Sequence, residues 1–345
     1  MSRVAVVLFN LGGPDRPQDV RPFLRNLFRD PAIIAAPGPI RMLLSEVISR
    51  SRETLARANY AVLGGGSPLR GETEAQASAL EAELARRMPG DEVRCFVAMR
   101  YWAPTIQAAA AAVAGFAPDD VVLLPLYPQF STTTTGSSLK AWSEAWQGKA
   151  VRTVCCYFDD EALADAHAAA IERTWTAAGR PEGLRLLFSA HGLPERTLAG
   201  GDPYQWQVEE TAAKVAARLG DGWDWQVCYQ SRVGPLRWIG PSTVEAIEAA
   251  ANAGLGVIVD PIAFVSEHVE TLVELDRDYA EAARRAGAPA YLRVPTLSCE
   301  PRFIEGLAKL AEAALAWPGV RPGAGACPAR FGRCALRRSQ TGAGL

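Results

Sequence analysis

The sequence lacks a charge excess of either sign: 36 lysines and arginines stand against 38 aspartates and glutamates. Without a basic surplus there is no electrostatic footprint for nucleic acid. No apolar run approaches the ~20 residues that a bilayer-spanning helix needs. The opening stretch, "MSRVAVVLFNLGGPD", carries one basic residue and no small-residue cleavage site, unlike a secretory signal. Seven cysteines (95, 155, 156, 228, 299, 327 and 334) form an odd, scattered set, which is no disulfide framework. A cytoplasmic location is therefore expected. No Gly-x-Gly-x-x-Gly follows the first apolar run and no Gly-Lys-Ser is present, which argues against a dinucleotide or nucleoside-triphosphate fold signature.

What the sequence does hold is a repeated alternation. "VAVVLFNLG", "EVRCFVAMR", "VVLLPLYPQ", "RTVCCYF", "LRLLFSAH", "WQVCYQS", "GVIVDPIAF" and "AYLRVP" are near-continuous apolar runs, the pattern of strands buried on both faces. Between them lie Ala-, Glu- and Leu-rich stretches such as "TEAQASALEAELARRM" and "QVEETAAKVAARLG", which read as helices. The alternation predicts an α/β protein with two doubly wound, Rossmann-like domains, each a parallel sheet flanked by helices. The pattern restarts near residue 160. The expected division is residues 1–160, with an apolar lip at 31–48, then 161–300, then 301–345, a helix packing back on the first domain plus a cysteine-containing tail.

Six segments place polar or aromatic groups at or just after strand carboxyl ends, where open parallel sheets bind ligands. They are "FNLGGPD", "MRYW", "LYPQFSTTTTGSS", "FSAHGLP", "YQSRVGPLRW" and "IAFVSEHVET". Two of only three histidines, His191 and His268, fall there, whereas His167 lies in an alanine-rich helix. A histidine at a sheet edge is commonly bonded to backbone; two in equivalent places point to a cleft. In "SEHVETLVELDRDY" the acids Glu267, Glu270, Glu274 and Asp278 follow at three, four and four residues. At ~100° per residue they share one stripe of a helix. That row is either a solvated face or a path for a cation or protons, and a carboxylate with an imidazole suits Fe(II) or Zn(II). "GGGS" before Pro68 is either a plain turn or an anion-holding loop; nearby Arg52, Tyr60 and Ser67 suit carboxylates. Arg100, Tyr101, Trp102, Tyr127, Phe130, Trp238 and Phe264 would add area for a broad apolar ligand.

Together "FNLGGPD", "GGGSPL", "RYW.P", "YPQFSTTTTGSS", "SAHGLP", "QSRVGPLRWIGPST" and "PIAFVSEHVETLVELD" resemble the ferrochelatase family, in order from Val4 to Ala316. The resemblance implies a class II chelatase with a porphyrin cleft between its domains, inserting Fe(II) into protoporphyrin IX with release of two protons. It implies catalytic and metal-contacting roles for His191 and Glu270. Glu274, Asp278 and His268 would form the proton or metal path, with Asp278 where relatives have Glu. Leu11, Arg52, Tyr60, Ser67, Arg100, Tyr101 and Trp238 would contact the porphyrin, with Leu11 where some relatives have Met. Some members carry a [2Fe–2S] cluster. Here Cys327 and Cys334 have the tail spacing, but Leu336 stands at the third position and Thr132 at the internal one of the animal type. Four thiolates would require Cys155 and Cys156 together, or Cys299; the other readings are a tail of free thiols, with no resident cofactor, or a non-cysteine fourth ligand. A coproporphyrin III or cobalt chelatase of the same fold, or a two-lobed tetrapyrrole-binding protein, is the alternative. Peripheral membrane contact of the lip and the oligomeric state stay open.

Overall fold

A computed structural model describes residues 1–232, 234, 236–323 and 325–342. Its strands are β1 (Arg3–Asn10), β2 (Glu92–Met99), β3 (Asp120–Pro125), β4 (Arg152–Val154), β5 (Leu184–His191), β6 (Asp224–Gln230), β7 (Gly256–Asp260), β8 (Tyr291–Arg293) and β9 (Gly319–Arg321). They form two parallel sheets, β2-β1-β3-β4-β9 and β6-β5-β7-β8. The run Val4–Asn10 is wholly buried, as expected of a strand covered by helices on both faces.

The eight apolar runs all appear as strands. The ninth, β9, was missed: "GVR" is one exposed and two half-buried residues with no apolar run. It becomes a strand only because the returning chain pairs with β4, Arg152 opposite Gly319. The helix before it, Pro301–Leu315, packs on helices Leu69–Arg87 and Glu161–Ala177 and on β3 and β4.

Local signals set the helix ends. Thr105 caps the helix Ile106–Phe116 by accepting from Ala108 N at 3.2 Å, and Ser242 and Glu245 form a reciprocal capping box. Gly287, at φ 76°, stops the helix Ala280–Ala286 as a left-handed C-terminal glycine. One continuous apolar core joins the two sheets, running from Val6, Leu8 and Leu124 to Leu186, Phe188 and Ile258. Truncating Phe188 to alanine in that core would cost about 3–5 kcal/mol.

Register decides where the site lies. Asn10 is level with Met99 and Phe9 with Pro125, while His191 is level with Gln230 and Phe188 with Asp260. The carboxyl ends of the central strands of each sheet therefore finish together. Among the described residues no helix is long and apolar enough to cross a membrane.

Candidate active site

The strand ends open into one cleft of about 1340 Å³, mostly apolar in lining. That is above the usual size of a small-molecule site and admits a large flat ligand. His191 is the last residue of β5 and lines it. The turn after it needs glycine: a side chain on Gly192 would meet Gln230 O at 2.9 Å and the Trp238 ring at 3.3 Å. Gly192 thus lets Trp238 and the end of β6 close in beside His191.

The imidazole Nδ1 of His191 lies 2.9 Å from Glu270 Oε2. Glu270 opens a π-helix, Glu270–Tyr279, where the sequence had suggested an ordinary α-helical stripe. Such wide turns frequently mark functional sites. The change splits the acid row. Glu270 and Glu274 line the cleft. Glu267, before the π-helix, turns away to Arg293 Nη1 at 2.5 Å and Thr296 N at 3.0 Å. Asp278 is exposed beside Arg277 at 3.4 Å and does not line the cleft. His268 does; its Nδ1 accepts from Glu270 N at 3.1 Å, and its ring meets Phe264 edge-on.

Burial and partners then separate the acids. Burial works against the charge of Glu270, but the His191 charge and hydrogen bond, followed by the His268 charge, hold its carboxyl down at about 2. Glu274 is raised to about 7, first by burial and then by the Glu270 charge, although Ser231 Oγ donates to it at 2.6 Å. His191 is pulled down by burial, yet Glu270 and Glu274 outweigh this and raise it. His268 is lowered, chiefly by burial. Two carboxylates with separated affinities beside two imidazoles can pass protons near neutrality.

Across the cleft, Leu11, Arg52, Tyr60, Ser67 and Arg100 line the first-sheet side, and Trp238 the other. Arg52 forms no ion pair among the described residues. Within "GGGS" Gly66 serves close approach, since a side chain there would strike Asp15 O at 2.4 Å, and Ser67 packs on Gly13, where a side chain would strike it at 2.5 Å. The backbone N–H groups of Gly64 and Gly65 are spent on Ala61 and Tyr60 carbonyls. The segment is a packed turn, not an anion cradle. Tyr101 also departs from expectation. It is 3% exposed, does not line the cleft, and donates its hydroxyl to Asp30 at 2.8 Å. It supports the wall from behind, because its phenol finds an acceptor only inward.

The thiols also resolve. Cys155, Cys156, Cys327 and Cys334 are all buried and gather in one nest. Sγ of Cys155 and Cys156 are 3.8 Å apart, and Gln207 Nε2 lies 3.5 Å from Cys156 and 3.1 Å from Cys327. Hydrogen bonds from Cys156 and Cys334, with smaller help from Gln207 and Arg337, push Cys327 down to about 3. Cys299 is exposed elsewhere. Among the described residues no three donors are arranged around a single metal ion. His167 keeps the bland reading: it is buried against Asp260 at 3.1 Å.

Sequence reasoning missed Asp30, Gln207 and the polar end of β6, Gln230 and Ser231. The last two were signalled, since they sit at a strand carboxyl end. Ser231 also has φ 63°, a conformation uncommon in non-glycine residues. Asp30 and Gln207 had no local signal.

Two parallel α/β lobes meeting at their strand ends, with an acid–imidazole wall and an apolar cleft, define a chelatase-type protein. Solved structures agree on the fold. SirB from Bacillus subtilis with Fe3+ is 10% identical, with a TM-score of 0.52 over 92% of this chain and 96% of that one. A multi-domain protein from Deinococcus radiodurans, described as structurally similar to chelatases, is 16% identical, with a TM-score of 0.51 over 94% of this chain and 56% of that one. The family profile of ferrochelatase matches residues 3–315. The ferrochelatase of Phenylobacterium zucineum is 58% identical over 98% of this chain and 99% of its own. That of Caulobacter vibrioides is 63% identical over 89% of each, and that of Hyphomonas neptunium 53% over 99% and 97%. The chain belongs to the ferrochelatase family.

Proposed function

We propose that this protein inserts Fe(II) into protoporphyrin IX at the cleft, the last step of haem formation, with His191, Glu270 and Glu274 handling the protons. The observation that carries the reading is the His191–Glu270 pair at 2.9 Å on a cleft wall otherwise suited to a flat apolar ring. In the reaction two pyrrole N–H bonds break, the two protons leave, and the nitrogens bind the metal; no electron is transferred. With Nδ1 of His191 directed at Glu270, Nε2 of the neutral imidazole is the atom available to accept a proton. Glu270 stabilises the imidazolium that forms. Glu274, held at about 7, exchanges the proton outward, and its neighbours Ser231 and Tyr279, at 2.6 and 3.4 Å, give it hydrogen-bonded partners. A cleft complementary to the bent macrocycle lowers the insertion barrier, and Arg52, Tyr60 and Ser67 address the propionates. The test is metal insertion, followed by loss of porphyrin fluorescence, with protoporphyrin against coproporphyrin. No turnover with either ring would sink the reading; turnover with coproporphyrin alone would reassign the substrate.

The buried thiol nest fits a [2Fe–2S] group held by Cys155, Cys156, Cys327 and Cys334, since it offers four buried sulfurs in one apolar shell. Such a group supplies a one-electron couple when bound. The apolar shell of Phe130, Phe158 and Trp206 and the Gln207 donor would shield and orient the sulfurs. The lip is proposed as a peripheral membrane contact: Ile40, Met42, Leu43 and Val47 of the helix Gly38–Val62 are each more than half exposed, too much apolar area to leave wet without use.

A further inference from the structure

The wall opposite His191 is held by one carboxylate that no sequence motif announced. Asp30 ends the helix Val20–Arg29 and begins the lip. It is 4% exposed. Its Oδ2 accepts from Arg100 Nη2 at 2.7 Å, from Tyr101 OH at 2.8 Å and from Ser137 Oγ in a short contact. Its Oδ1 accepts from Ala32 N at 2.8 Å, and its backbone carbonyl accepts from Ile33 N and Ile34 N. Arg100 is braced a second time, Nε to Ser137 Oγ at 2.6 Å.

These contacts join three parts of the cleft. Arg100 and Tyr101 follow β2, Ser137 lies in the helix Thr135–Ala145, and Ile33 and Ile34 are apolar lip residues that line the cleft beside Arg100. Donors approach the side chain from both oxygens, so only an acceptor-only group satisfies them; an amide would set its own N–H groups against a donor in either orientation. The Arg100 charge also requires its buried partner.

We propose that Asp30 is a positioning residue for metal insertion, fixing the spacing between the lip and the Arg100 face and so the fit of the cleft to a bent macrocycle. Asp30 lines the cleft, but both of its carboxylate oxygens already accept from protein donors, so it acts through Arg100 and the lip. The inference rests on the reading of the cleft as a porphyrin site. A wall displaced by a fraction of an ångström still binds the flat ring and loses its preference for the bent one.

The experiment compares wild type with Asp30→Asn, Tyr101→Phe and Ser137→Ala. Zn(II) serves as the probe metal and protoporphyrin as the ring, and three quantities are read: kcat, porphyrin Kd and the out-of-plane resonance Raman bands of the bound ring. Asp30→Asn is expected to lower kcat about 10²-fold while Kd changes by less than about threefold, with weaker out-of-plane bands. The other two variants remove one donor each, leave Asp30 its remaining partners, and are expected to move kcat and the bands in the same direction by less. They decide the question if Asp30→Asn does not fold. Wild-type kcat and bands in both, at unchanged Tm, would overturn the proposal, as would a loss of kcat with unchanged bands. A wild-type protein that neither binds porphyrin nor inserts metal would sink the underlying reading of the cleft instead.

Discussion

On the second-sheet wall of the cleft, two carboxylates lie close enough for the charge of one to raise the proton affinity of the other. On the first-sheet wall, one carboxylate is enclosed by donors. Glu270 and Glu274 sit on a π-helix, one held at about 2 and the other at about 7, and each faces space that a ligand would fill. Asp30 also borders the cleft, but both of its oxygens accept from protein donors. The contrast separates two uses of a buried charge. A partly satisfied group keeps a proton affinity that chemistry can use, whereas a fully satisfied one fixes geometry.

The largest expected effect tests the reactive wall. His191→Ala is expected to lower insertion about 10³-fold while porphyrin binding, read by fluorescence quenching, stays within a few-fold; full turnover by this variant would erase the distinction between the walls. Next is Glu274. It accepts protons only when ionised, and with its carboxyl at about 7 the ionised fraction climbs between pH 6 and pH 8. Wild-type kcat should rise across that interval. Glu274→Gln should lose the rise and about 10²-fold in kcat; a pH profile unchanged by the substitution would show that Glu274 does not relay protons.

Two smaller effects concern regions outside both walls. Cys327→Ser should abolish the visible absorption and the acid-labile sulfide of anaerobically purified protein, with insertion by the folded fraction retained. Wild-type protein free of iron and sulfide would dismiss the cluster. Leu43→Glu with Val47→Glu should reduce co-sedimentation with anionic vesicles and leave insertion into detergent-solubilised porphyrin unchanged, and equal sedimentation would exclude the lip. The smallest is a control: Arg70→Ala breaks the exposed pair with Glu74 at 2.8 Å and should shift stability by no more than about 0.5 kcal/mol in a denaturant titration.

How far the sequence reached differs between the walls. His191 and Glu270 were legible because strand-end position and residue type are both local properties, and the resemblance paired them. The width of the turn carrying Glu270 was not. A π-helix differs from an α-helix by a hydrogen-bond shift that residue spacing tolerates, so the acid row looked continuous until Glu267 was found on Arg293 and Asp278 in solvent. The resemblance placed Tyr101 in the cleft beside Arg100, but its hydroxyl reaches Asp30 and its side chain is buried behind the wall.

By itself the sequence determined the strands, the parallel α/β plan, the strand-end cleft and its histidines, because periodicity and chain-local chemistry encode them. The tertiary structure alone decided which of seven cysteines meet, which acids keep an affinity near neutrality, and that Asp30 gathers Arg100, Tyr101 and Ser137. Those outcomes depend on distances between segments up to about 180 residues apart, such as Cys156 and Cys334, and on the burial that sets the strength of each charge.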